Sequence, residues 1–379
     1  MSERSQTSFL QLHPSRLSAK ASPSDVRRNN RSLIFRLLFP NHPCSRAELG
    51  RLTGLSRVAV SDVVNDMLKE GLVREMGYET DMVGKGKRGT LLGPDTTRLH
   101  IIAIDLSQSQ LIQGAVTNLL GVPIMRSEMT LNANDRLGYD TVTALIERLL
   151  KETDHVIGIA IGIPGVIHNG VIFQSTVLDC KDFDLRTPLE KRFGVSVCVT
   201  NDVTCSMMTE RYFGGQAGPN LLFVKVDRGI GASTLIDDRP VIGVNNASGE
   251  IGHISIDSDG PPCPCGKRGC LEQLISSDIL RKEMQGASAS EKVDILAKAG
   301  ARFASVLAMS IGLLDLNDIC VYGPPDIVNN AFLDAAQDYL NTTTTSAFHK
   351  CTAVRRCQCG ADVTLRGATI EVVRHYVEG

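Results

Sequence analysis

No stretch of this 379-residue chain approaches the roughly 18 continuous apolar residues that a membrane-crossing helix needs. Its first residues lack the charged-then-apolar pattern of a secretory signal. These two absences point to the cytoplasm, and residues 1–25, polar and rich in serine, read as a mobile tail. An even cysteine count is missing too. Eleven cysteines cannot all pair, and in a reducing compartment clustered thiols bind metal more often than each other.

What is present suits a soluble globular protein of two or three domains: 42% hydrophobic residues and an ordinary 22% charged. The net charge of −2 conceals an asymmetry. Residues 1–95 hold 15 Lys and Arg against 10 Asp and Glu, a surplus of +5 that leaves −7 for the remainder. A basic front on an acidic body suggests a module that faces nucleic acid, joined to something else.

The front has the pattern of a winged helix-turn-helix over residues 26–95. Leu33, Ile34, Leu37 and Leu38 recur at helical spacing from Asn30 to Phe39, and Pro40 and Pro43 stop that helix. Ser45 and Glu48 have the form of a capping box for a second helix reaching about Thr53. Gly54 supplies a left-handed turn, and Ser56 can cap a third helix through about Lys69. Its inward stripe is Val60, Val63, Val64, Met67 and Leu68. Arg57, Val58, Ser61 and Asp62 stand at its N-terminal end, where a recognition helix meets base edges. A strand from Leu72 and a return at Thr90 would flank a glycine-rich basic tip with Lys85, Lys87 and Arg88, suited to phosphates or a minor groove. The expected partner is double-stranded operator DNA. A symmetric homodimer or homotetramer is expected to read it as an inverted repeat.

Further on, His253, Cys263, Cys265 and Cys270 form an H-x9-C-x-C-x4-C run, the donor set of a closed structural Zn²⁺ site. Gly266 and Gly269 let the backbone loop between the thiols, and Pro261, Pro262 and Pro264 stiffen the approach. Cys357 and Cys359 make a second C-x-C with no histidine or third thiol at the expected spacing, and read as unpaired thiols.

Beyond Arg98 buried strands alternate with helical stretches: 99–105, 156–165, 197–202 and 221–226, with helices at 140–151 and 291–314. That is an α/β body, and polar residues at its strand ends are where such folds place ligands. The run Gly249-Glu-Ile-Gly-His253, the cysteine loop through Glu272, Asn201-Asp202 upstream and the helix-turn-helix in front together resemble the ROK family of repressors and sugar kinases. The resemblance implies a two-lobed, actin-like body over residues 96–379 with a sugar cleft between the lobes. The first lobe would take residues 96–200 and a closing helix at 360–379 that packs back on it; the second would take residues 201–359. It also implies that Asn201, Asp202, Glu250, His253 and Glu272 hold a sugar or sugar-phosphate effector, with Asp202 the catalytic base in the kinases. His253 would then serve both metal and effector.

Departures from the kinase pattern favour the repressor branch. The first phosphate loop, Asp-x-Gly-Gly-Thr in the kinases, here reads Asp105-Leu-Ser-Gln-Ser109. The second, Gly-Thr-Gly-x-Gly, reads Asp227-Arg-Gly-Ile-Gly231, with a carboxylate where polyphosphate would approach. The expectation is a non-enzymatic transcriptional regulator of sugar metabolism, a repressor, whose lobes close on the effector and alter operator affinity. An ATP-dependent ROK sugar kinase with a fused DNA-binding domain is the alternative. One further departure is the segment 177–180, where the family often has Asn-Leu: either Asp179 substitutes or the ligand differs.

Overall fold

The computed structural model describes residues 22–79, 88–108, 110–130, 137–349 and 351–378. They divide into two compact units, residues 1–95 with 374–379, and residues 96–373.

In the smaller unit α1 (Pro23–Leu38) starts earlier than the apolar periodicity suggests. Ser22 Oγ accepts from the Asp25 amide at 3.2 Å while the Asp25 carboxylate accepts from the Ser22 amide at 3.0 Å, and Pro23 takes the first helical position. The tail expected to reach residue 25 therefore yields to helix by Pro23, and residues 1–21 lie outside the described ones. There follow β1 (Cys44–Ser45), α2 (Arg46–Thr53), α3 (Arg57–Glu70), β2 (Val73–Tyr78) and β3 (Thr90–Pro94), with the strands in the order β1-β3-β2. Two residues are too few to show alternation, so β1 was not legible. Gly54, φ +71°, makes the turn between α2 and α3. Ser56 Oγ accepts from the Ala59 amide at 3.2 Å and starts α3. Only half of the expected box at α2 forms: Ser45 Oγ accepts from the Glu48 amide at 3.3 Å, whereas the Glu48 carboxylate accepts from Arg51. Ile34, Phe35 and Leu38, Leu49, and Val60, Val63, Val64 and Met67 bury one face of each helix against the others and Leu92. Leu68 is only half-buried.

The larger unit contains two five-stranded sheets. The first is built from β4 (His100–Asp105), β5 (Leu111–Thr117) and β6 (Pro123–Thr130), then α4 (Tyr139–Leu150) and β7 (Val156–Ile163). A small sheet of β8 (Val166–His168), β9 (Val171–Ser175) and β10 (Cys180–Asp184) precedes α5 (Arg186–Phe193) and β11 (Ser196–Asn201). The order is β11-β7-β4-β5-β6, with β11, β7 and β4 parallel and β5 and β6 antiparallel.

The second sheet comes from α6 (Asp202–Phe213), β12 (Leu221–Val226), β13 (Ile230–Ile236), β14 (Arg239–Pro240), α7 (Glu272–Ile275), α8 (Ser277–Glu283), α9 (Ala289–Leu314), β15 (Asp318–Tyr322), α10 (Asn330–Thr344) and β16 (Ala353–Arg356). Read from β16, its order β16-β15-β12-β13-β14 repeats the first sheet strand for strand, parallel and antiparallel pairs included. β4 and β12 are thus counterparts. Their C-terminal ends carry Asp105 and the Asp227 loop.

Each sheet has its own core. Ile102, Ile104, Leu145, Ile146, Ile159 and Ile161 belong to the first; Val224, Phe303, Leu307, Val321 and Phe332 belong to the second. Helix α9 is long and apolar enough to cross a membrane by length and mean hydropathy, a feature that a search for uninterrupted apolar runs passes over. Its Leu296, Ala299, Phe303, Ala304, Leu307 and Ile311 are instead buried in the second core.

The closing helix, α11 (Val363–Glu378), returns to the first sheet. Thr369 and Thr117 hydroxyls meet at 3.1 Å, and any Cβ at Gly158 or Gly162 would strike Val372 or Thr364. Glycine leaves room there for the helix side chains to pack against the strand backbone.

Candidate functional site

The GEIGH segment lies along the edge of β13. The Ala232 amide donates to the Gly249 carbonyl at 2.8 Å, and Gly249, φ +95°, has no room for a Cβ beside Ala232. One turn of 3-10 helix, 251–253, then presents His253. The loop returns through bridges pairing Ser255 with Cys270 and Pro262 with Arg268. Gly269, φ +57°, leaves the Asp257 carbonyl where a side chain would be, so the loop closes only with glycine.

This path brings His253, Cys263, Cys265 and Cys270 together, with their ligand atoms all within 4.8 Å of one another. Cys263 Sγ lies 3.5 Å from His253 Nδ1, and Cys265 Sγ lies 3.6 Å from Cys270 Sγ. A tetrahedron with sulfur arms of about 2.3 Å sets its corners about 3.8 Å apart, so the donors suit Zn²⁺. A disulfide would need about 2.05 Å, far shorter than the separation seen. Loss of water and the neighbouring thiols push Cys270 up to about 12, while the Lys267 amide lowers Cys265. Thiolates this crowded repel one another unless a cation balances them.

The residues assigned to the effector gather at the C-terminal strand ends. Asn201 caps α6: its Oδ1 accepts from the amides of Val203 (2.9 Å) and Thr204 (3.1 Å), and its Nδ2 donates to the Gly165 carbonyl at 3.0 Å. Asp202 is buried and is the first residue of α6, not the last of a strand as expected. Lys225 Nζ donates to its Oδ2 at 2.8 Å. No sequence signal singled out Lys225, which reads as one polar position in an apolar strand. Glu272 Oε2 accepts from the Ile230 amide at 3.0 Å and steadies the loop after β12. Glu250 is raised by loss of water, with Asp202 and Glu272 adding to the shift against the lowering pull of His253. Asp179 sits in the exposed turn between β9 and β10 at φ +46°.

At the two strand ends where the kinase pattern has its phosphate loops, each aspartate is engaged by a neighbouring donor. Asp105 Oδ1 accepts from the Ser107 amide at 2.8 Å, and burial raises Asp105. Asp227 Oδ1 accepts from Ser277 Oγ at 3.0 Å.

In the smaller unit Arg57 and Asp62 are exposed on the first turns of α3, Val58 is 70% exposed and Ser61 half-buried. Such exposure of an apolar side chain at a helix start leaves it available for contact. Arg88 is exposed just before β3, while Lys85 and Lys87 lie outside the described residues.

Cys357 has company after all. Cys320 arrives from β15 and Glu210 from α6, and the ligand atoms of the three lie within 4.8 Å of one another. Cys357 Sγ donates to Glu210 Oε2 at 3.2 Å, as does the Gln358 amide at 3.2 Å, while Arg355 binds Oε1. Cys359 Sγ lies 3.7 Å from the Thr209 carbonyl. Spacing alone could not show this cluster, because its members come from three separate segments.

Residues 103–366 match the ROK family. Among curated proteins, the chain is 32% identical over 272 residues to the xylose repressor of Bacillus spizizenii, 70% of each chain. It is 24% identical over 379 residues to the DNA-binding transcriptional repressor Mlc of Escherichia coli, covering 91% of this chain and 93% of that one. Among solved structures, a ROK family transcriptional regulator described as a homolog of the E. coli Mlc protein superposes with a TM-score of 0.79 at 19% identity, over 93% and 97% of the two chains. A ROK family glucokinase from Streptomyces griseus, in complex with glucose and AMPPNP, superposes with a TM-score of 0.61 at 20% identity, over 71% and 98%. At these identities the superpositions speak for the fold alone.

Proposed function

The chain belongs to the ROK family, and from that premise we propose that it is a DNA-binding transcriptional regulator, a repressor of sugar-metabolism genes, controlled by a sugar-class effector. The observation that carries this reading is the head: a capped α3 with Arg57, Val58 and Ser61 on its first turns, preceded by the glycine turn of a helix-turn-helix. Relatives named as repressors, one of them aligned over almost the whole chain, support the same reading. The body argues against phosphoryl transfer. A general base must be free to take the hydroxyl proton, and Asp202 is tied to an ammonium, while the loop after Asp105 lacks the glycines and threonine of the kinase pattern and Asp227 would repel polyphosphate.

In this reading Asn201, Asp202, Glu250, His253 and Glu272 face the effector, and His253, Cys263, Cys265 and Cys270 hold one structural zinc. Bound zinc would neutralise the thiolates and pin the GEIGH segment against β13. The protein works in the cytoplasm as a homodimer or homotetramer on an inverted repeat, and ligand binding alters operator affinity. A coupling of about 1–3 kcal/mol corresponds to about 5- to 150-fold in operator affinity, with the reciprocal effect of DNA on ligand.

The test is a set of operator titrations. Arg57→Ala should cost about 1–3 kcal/mol at one base pair and relax specificity there. Lys85→Ala and Lys87→Ala should weaken all sequences alike and flatten the salt dependence. Unchanged binding in all three variants would refute the assignment.

A further inference from the structure

The carboxylates around the strand ends outnumber the lysine and arginine cations, and the Lys225 ammonium and the nearby backbone amides are already engaged. Asp105, Asp202 and Asp227 all bear on the ammonium of Lys225, which donates to Asp202 at 2.8 Å. The two paired side chains are 16% and 6% exposed. Glu250 stands within electrostatic reach of Asp202 and Glu272. Among the described residues of this group, three carboxylates therefore bear on one ammonium, which is engaged, and Glu250 and Glu272 add two more beside Asp202. Arg228, the cation next to it in the chain, is 76% exposed and turned to Asp278 at 3.8 Å. The backbone donors are engaged as well: the first amides of α6 go to Asn201 Oδ1, and the Ile230 amide goes to Glu272.

Such a wall is rich in acceptors and poor in donors. A phosphate dianion carries only acceptors and negative charge at neutral pH, and it needs amides, arginine or lysine to receive it. A hydroxyl donates as well as accepts and meets a carboxylate directly. We propose that Lys225, by committing its charge to Asp202, sets this cleft to bind an uncharged polyhydroxyl ligand and to reject the phosphorylated form of the same sugar. The inference rests on the reading of these residues as the effector site. It narrows the effector class to the free sugar. Asp202 is the position that controls the preference, because neutralising it releases the ammonium for an incoming anion.

Isothermal titration of the full-length, zinc-loaded protein with D-xylose, D-glucose and N-acetylglucosamine, and with glucose 6-phosphate and N-acetylglucosamine 6-phosphate, tests this directly. A free hexose should bind about tenfold or more tighter than its phosphate in 50 mM NaCl, with the gap narrowing in 500 mM NaCl as like-charge repulsion is screened. Asp202→Asn should shrink the gap by about threefold or more, and Glu250→Gln, which leaves the Lys225 pair in place, by less. A phosphate binding as tightly as its free sugar would overturn the inference while leaving a sugar effector in place. A gap indifferent to both salt and Asp202→Asn would also overturn it, since the rejection would then be steric. If neither class binds, the effector reading of the cleft falls, and this inference with it.

Discussion

Two thiol clusters sit in the same unit of this protein and resolve the same chemistry in opposite ways. At His253, Cys263, Cys265 and Cys270 four donors converge from one short segment, with the exposed Lys267 bearing on Cys265 from the same loop. At Glu210, Cys320 and Cys357 the donors converge from three segments, and the carboxylate is already bound by Arg355, by the Cys357 thiol and by the Gln358 amide. The first set is a donor group whose spacing suits a metal ion. The second brings its own cation in Arg355, which also grips Asp318 through two bonds of 2.7 and 3.0 Å. Thiol proximity alone does not make a metal site; the unsatisfied charge does.

The largest effect expected on this contrast is at the first cluster. Cys270→Ser should abolish zinc measured by elemental analysis and lower the unfolding temperature, because the free energy of metal binding is also folding free energy. Zinc at one equivalent per chain in the variant would contradict the assignment. Glu210→Gln should cost about 2–3 kcal/mol in urea unfolding, as half-buried Arg355 loses one of its two carboxylates, and should leave the zinc content unchanged. A loss of zinc in that variant would break the contrast.

The same carboxylate gives a pH dependence. Burial raises Glu210, but Arg355 and Cys357 outweigh that, so it titrates below its ordinary 4.5 in the fold. A lowered carboxyl stabilises fully above that ordinary value and loses the contribution as pH falls through the folded one. The stability gap between wild type and Glu210→Gln should therefore hold steady from pH 7 to about 5 and close below it. A gap that widens on acidification would contradict the pairing. The smallest effect is expected at Cys359→Ala, about 1 kcal/mol or less, since weak sulfur contacts to the Thr209 carbonyl, Cys357 and Glu210 are what is lost. A loss of several kcal/mol would show that Cys359 is a full member of the cluster.

The same divide explains what the chain betrayed in advance. The convergence of His253, Cys263, Cys265 and Cys270, the Gly54 turn, the Ser56 cap and the long apolar strands were legible because their causes lie within a few residues of one another. Local rules also show where α1 begins, in the Ser22-Pro-Ser-Asp25 box, which the apolar stripe from Asn30 concealed. Lys225 was illegible for a different reason. Its meaning depends on Asp202, 23 residues away, being placed beside it by the return of α6 against β12 and β13. Cys357 likewise gains Cys320 and Glu210 only when β15, β16 and α6 assemble. Repetition of the two sheets, with Asp105 and the Asp227 loop at equivalent ends, emerges only from strand order.

The account stands or falls on the head's work as a DNA reader. Footprinting the full-length protein on operators selected from a random double-stranded library tests it most directly. The account predicts protection of an inverted repeat whose half-sites face the same edge of the duplex, with Arg57→Ala losing preference at one position in each half. Failure to enrich any sequence, or a selected site that Arg57→Ala protects as wild type does, would contradict it.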